Sequence, residues 1–126
     1  MRTIKFKGKR LDNGEWLEGY YRGNNEGKAF ISRIKRPPLS FEVYPDTVCQ
    51  FTGFLDKNGK EIYEGDIIKV AGLGKKIEVR FVRGSFAFLW NGDLNDEAAI
   101  NAPTEKWAEV VGNIHDNPTL LKRIER

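Results

Sequence analysis

The stretch that decides the fold is FTGFLDKNGKEIYEGDIIKV, residues 51–70. Phe51 to Leu55 alternates as a half-buried strand does, and Asp56-Lys57-Asn58-Gly59 is a four-residue turn signal in which Asn and Gly accept the positive φ of a tight hairpin. Lys60 to Tyr63 leaves that turn as a second strand. Glu64-Gly65-Asp66 turns the chain again into the apolar strand Ile67-Ile68-Lys69-Val70. Gly53, Asp56, Asn58, Gly59, Tyr63, Gly65 and Asp66 therefore read as structural residues. The Asp66 carboxylate, between Gly65 and an apolar run, suits backbone N–H groups at the start of a strand.

Working outward, the same strand-and-turn grammar continues on both sides. Ile4-Lys5-Phe6-Lys7 alternates apolar and basic, Asp12-Asn13-Gly14 turns, and Trp16 to Tyr21 is rich in aromatic β-formers. A loop at Gly23–Gly27 leads to a third strand, Lys28 to Ile34. The pair Pro37-Pro38 removes two backbone donors and holds the chain extended, which marks a boundary between an N-terminal β subdomain, 1–36, and a core, 37–126, within one compact unit. Further strands are expected at Phe41–Tyr44, Thr47–Phe51, Lys76–Phe81, Phe86–Trp90 and Trp107–Ile114. Asn95 caps an expected helical turn over Asp96–Ile100, and Asn117-Pro118 starts an expected terminal helix through Leu120, Leu121 and Ile124. The predicted fold is mainly β: an N-terminal antiparallel sheet plus a small SH3-like barrel or twisted meander, with one or two short helices. Leu11-Asp12-Asn13-Gly14 with Glu18-Gly19 echoes the central motif, which either an internal duplication or repeated turn chemistry explains.

Composition narrows the function classes. With 126 residues, 40% hydrophobic and 31% charged, the chain suits a single globular domain and is too rich in core residues for disorder. No run approaches the ~20 apolar residues of a membrane helix. No apolar segment follows the basic start, so a cytoplasmic protein without a signal peptide is expected. The single cysteine, Cys49, cannot form an internal disulfide and is expected to behave as a small buried hydrophobe. His115 stands without a second His or a Cys neighbour, so no zinc site is expected. Gly72-Leu73-Gly74-Lys75-Lys76 lacks the spacing and the Ser or Thr of a nucleotide-binding loop and reads as a hairpin tip. Asp93, Asp96 and Glu97 lack the calcium-loop pattern. No catalytic residues, metal ligands or cofactor are expected.

Charge is unevenly spread. Up to Arg36, ten basic residues face four acidic ones, whereas the remainder carries eleven against fourteen. Ordinary solvated strands account for this, and so does an anion-binding face. Candidate nucleic-acid contacts are Lys5, Lys7, Lys9, Arg10, Arg22, Lys28, Arg33, Lys35 and Arg36. Lys75 and Lys76 are added at the hairpin tip, and Trp16, Tyr20, Tyr21 and Phe30, with Phe86, Phe88 and Trp90 of the later strands, as a set that could include rings on which bases stack.

Residues 51–68 resemble the signature of the YopX family of phage and prophage proteins. Glu109-Val110-Val111-Gly112-Asn113-Ile114-His115-Asp116-Asn117-Pro118-Thr119-Leu120-Leu121 resembles that family's closing motif, with Gly112, Asn113 and Pro118 as its structural residues, and Ile4 to Lys7 its usual start. The resemblance implies phage or prophage origin, cytoplasmic action in a bacterial host, and no established activity or catalytic residues. Glu64 to Val70 is also similar to the first strand of small SH3-like barrels, a likeness of fold alone. The expected function is a non-enzymatic binding or accessory protein. Its alternatives are nucleic-acid binding through the basic aromatic face, and a module that self-assembles as a homo-oligomer or binds a host protein.

Overall fold

A computed structural model of the chain describes residues 4–33, 39–70, 76–82, 85–90, 97–99 and 104–122. The protein is mainly β, with its described strands in two antiparallel sheets. Two compact units divide the chain at Met1–Phe51 and Thr52–Arg126.

In the first unit, β1 (Phe6–Lys9) pairs with β2 (Trp16–Gly23), β2 with β3 (Ala29–Ser32), and β3 with β4 (Ser40–Val43). The first half of β5 (Cys49–Leu55) lies on the other side of β1. The sheet curls strongly. An Arg10–Val43 bridge, with Leu11 N–H donating to Glu42 O at 3.0 Å and Tyr44 N–H to Lys9 O at 2.8 Å, brings the end of β1 back to β4. A 3-10 turn, Pro45–Thr47, follows, and Lys9 N–H donates to Thr47 Oγ1 at 2.9 Å. Strand alternation sends Ala29, Ile31 and Val43 to the inside of the curl, with Phe6, Leu17 and Val48 against them. Gly8 makes the curl feasible, because a Cβ there would lie 2.9 Å from Val43 Cγ2.

In the second unit, β6 (Glu61–Tyr63) follows β5 through the Asp56–Gly59 turn. Strands β7 (Asp66–Val70), β8 (Lys76–Val82), β9 (Ser85–Trp90) and β10 (Glu97–Ala99) form a meander. β11 (Ala108–Asn113) pairs with β7 on its other side, giving the order β10-β9-β8-β7-β11. Of the two expected forms the meander is the one found, and the described strands do not close into a barrel. One face of this sheet carries Ile68, Ile77, Val79, Phe88 and Ala108, with Ile62, Phe54, Val70, Trp107 and Val110 completing its core.

Two local expectations are corrected. Residues 97–99 are a strand, not a helical turn: Glu97, Ala98 and Ala99 pair with Leu89, Phe88 and Ala87, and edge pairing overrides the local Asn95 cap signal. Conversely, α1 (Thr104–Trp107) is a helical turn where the closing strand was expected to begin. It sets the Trp107 ring edge-on to Phe88, with centroids 5.4 Å apart. The terminal helix is present as α2 (Thr119–Lys122). Pro37-Pro38, the Gly72–Lys75 tip and Arg83-Gly84 lie outside the described residues.

Candidate nucleic-acid interface

The registers of the first unit decide which side chains share a face. Lys7 stands opposite Glu18, Lys9 opposite Trp16, Tyr20 opposite Ser32 and Arg22 opposite Phe30. Directly paired residues of an antiparallel ladder point the same way. Lys5, Lys7, Lys9, Trp16, Glu18, Tyr20, Arg22 and Phe30 therefore occupy the outer face of the curl, opposite the core cluster.

On that face cations and rings are interleaved. Lys7 Nζ lies 4.6 Å and Lys9 Nζ 5.5 Å from the centre of the Trp16 ring, and Arg22 Cζ stands 4.4 Å over Phe30. The Lys5 ammonium is 5.4 Å over Phe51 and 3.9 Å from the Glu18 carboxylate. Such contacts hold long side chains in place and keep their charges beside the aromatic surface. Tyr20 is 57% exposed. The arrangement combines fixed positive charge with aromatic surface, which suits a ligand that is both anionic and planar. Glu18 and Glu42, the latter opposite Phe30, are the acidic groups on the same face. Sequence reading left them out, although the period-two pattern of β2 points to Glu18.

The other candidates sit elsewhere. Arg10 follows Lys9 and so faces the other way, over the Phe41 ring at 3.9 Å, with its guanidinium held by Asp12 at 2.7 and 2.9 Å. Those bonds hold the Asp12 carboxyl below its ordinary range. Tyr21 lies on the inner face, its ring 5.5 Å from Phe6. Lys28 is exposed in the β2–β3 loop, where its N–H donates to Asn24 Oδ1. Arg33 is half-buried, with its Nε out of solvent and without a hydrogen-bond acceptor among the described residues. Lys76 opens β8 opposite Lys69 in the second unit. Lys35, Arg36 and Lys75 fall outside the described residues.

The central motif forms a different kind of cluster. Asp56 is 1% exposed, and its carboxylate accepts three backbone N–H bonds. Asn58 and Lys60 donate to Oδ1 at 2.8 and 2.9 Å, and Val110 donates to Oδ2 at 3.0 Å. Burial pushes this carboxyl up. The N–H groups of Val110, Lys60 and Asn58, with the Lys60 charge, outweigh it and leave the group below its ordinary 3.8. Lys57 N–H donates to Ala108 O at 2.8 Å, so the turn is fastened to β11 on both sides of Glu109. At Gly59, φ is +79°, the left-handed value its turn requires.

Gly65, at φ +90°, donates to Val79 O at 2.7 Å and accepts from Ile114 N–H at 2.9 Å, while Asp66 Oδ2 accepts from Tyr63 N–H at 2.8 Å. Asp66 is paired with Asn113. Asn113 Oδ1 in turn accepts the N–H groups of His115 and Asp116. Gly112 leaves room for Asn117, whose Oδ1 would lie 2.6 Å from a Cβ at residue 112, and Pro118 is exposed just before α2. Gly53 lies within β5 at φ +90°. The buried Glu78 carboxylate is gripped by the Arg80 fork at 2.8 to 3.0 Å. Cys49 is buried with its thiol 3.1 Å from Thr47 O. Among the described residues, no three His, Cys, Asp or Glu side chains converge as a metal site would require, and no helix is long and apolar enough to cross a membrane.

The crystal structure of protein EF1440 from Enterococcus faecalis is similar in fold, with a TM-score of 0.57 and 23% sequence identity over 96% of this chain and 99% of that one. No curated protein sequence matches. The family model described as YopX protein matches residues 5–122, a span that contains both the central and the closing motif. The chain therefore belongs to the YopX family.

Proposed function

We propose that this protein is a non-enzymatic binding protein of phage or prophage origin, acting inside a bacterial host, and that it binds nucleic acid through the outer face of its first unit. The observation that carries this reading is the clustering of Lys7 and Lys9 on Trp16, Arg22 on Phe30 and the exposed Tyr20, all on the face opposite the core. Up to Phe51, ten basic residues face six acidic ones, so this part of the chain carries a net positive charge, which favours an anionic partner.

Anisotropy titrations of labelled DNA over a series of salt concentrations test it. Four phosphate contacts, from Lys5, Lys7, Lys9 and Arg22, correspond to a slope of roughly −3 in log K against log salt. Lys7→Gln and Arg22→Gln should each flatten that slope by about one contact. The reading is wrong if no complex forms even at low salt.

A further inference from the structure

We infer that the ligand of this face is single-stranded, and that the Tyr20 ring is the platform on which one base stacks. The inference rests on the nucleic-acid reading above and deepens it. Three of the rings on the outer face differ in what already covers them. Trp16 carries Lys7 and Lys9, and Phe30 carries Arg22, whereas Tyr20 is more than half exposed.

Tyr20 lies between these pairs along β2, four residues from Trp16 and two from Arg22. Two residues of strand span about 6.7 Å, so a base on Tyr20 keeps its phosphate within reach of the Arg22 guanidinium. Glu18, on the other side of Tyr20 and 3.9 Å from Lys5, repels phosphate and directs the backbone towards Lys7, Lys9 and Arg22.

A duplex cannot use this surface in the same way. Its bases are stacked on one another and offer no open π-face, and its grooves are read by helices or ribbons inserted edgewise. The described part of the first unit holds only strands and one 3-10 turn, with Lys5, Lys7, Lys9, Arg22, Trp16, Tyr20 and Phe30 on one face of the strands. Stacking on an aromatic platform beside a basic track is how single strands are held with little regard to sequence.

The test uses the full chain, with anisotropy of labelled dT20, a labelled 20-base-pair duplex and a labelled poly-glutamate peptide. The expected result is tighter binding of dT20 than of duplex, weakened about ten- to a hundredfold by Tyr20→Ala and largely kept by Tyr20→Phe. Lys7→Gln with Lys9→Gln should weaken both nucleic acids. Thermal unfolding of each variant separates lost binding from lost folding. If Tyr20→Ala leaves dT20 binding unchanged, or if duplex binds as tightly as dT20, the single-strand inference fails while the nucleic-acid reading stands. If neither nucleic acid binds, with or without capture of poly-glutamate, the nucleic-acid reading itself fails.

Discussion

Asp56→Ala is expected to destabilise the second unit by about 3 to 5 kcal/mol, the cost of removing one partner from a buried charged hydrogen-bond set. Three backbone donors, those of Asn58, Lys60 and Val110, lose their acceptor at once. Asp56→Asn is the sharper probe. Its carbonyl oxygen can still accept from Asn58 and Lys60, but its amide nitrogen would face the Val110 N–H donor to donor. Denaturant unfolding at neutral pH should rank wild type above Asn and Asn above Ala.

The pH dependence follows from the same geometry. Because folding lowers the Asp56 pKa, its contribution is fully present above the ordinary carboxylate value of 3.8 and is lost as pH falls through the lower value of the folded state. The gap between wild type and Asp56→Asn should therefore hold from pH 7 to about pH 5 and narrow towards pH 2. A gap that stays constant across that range would show that the charge of Asp56 contributes nothing.

Gly19→Ala is expected to lower the Tm by roughly 10 °C, equivalent to about 3 kcal/mol. A Cβ at residue 19 would lie 1.9 Å from Ser32 O, a backbone atom that cannot swing aside as a side chain can. β2 and β3 would have to separate where Tyr20 pairs with Ser32. Gly14→Ala is the control, because its φ of +73° is strained for alanine but nothing lies within 4 Å of the new methyl. Its cost should be nearer 1 kcal/mol. Equal Tm values for the two variants would contradict so close a crossing of β2 and β3.

How much of this was readable before the fold was known depends on range. The central turn was readable because Asp56, Asn58 and Gly59 act on residues two to four positions away, and local chemistry announces itself locally. Asp12 and Asp56 look alike in sequence for the same reason. Their fates differ through distant partners: Asp12 is exposed against Arg10, while Asp56 is buried against Val110. Residues 97–99 misled because a helix cap is a local signal and their strand is made by β9.

The candidate face was half readable. Alternation placed Lys5, Lys7 and Lys9 together, and the aromatic density of β2 pointed to Trp16 and Tyr20. Only the strand registers show that Arg10 and Tyr21 face away, that Arg22 stands on Phe30, and that Glu18 and Glu42 interrupt the charge.

The bond from Val110 to Asp56 joins residues 54 positions apart, and this separation orders events in time as well as in space. During synthesis, the pairings among β1, β2, β3, β4 and the start of β5 are available once Phe51 has emerged, whereas the Asp56 carboxylate waits for β11. The meander hairpins close quickly because their loops are short; the Asp56 link closes a long one and belongs to the last steps. An interaction made after the folding barrier slows escape from the native state without hastening arrival. In stopped-flow experiments Asp56→Ala should therefore steepen the loss of native protein with time while leaving the refolding rate close to that of wild type, making this carboxylate a latch on lifetime.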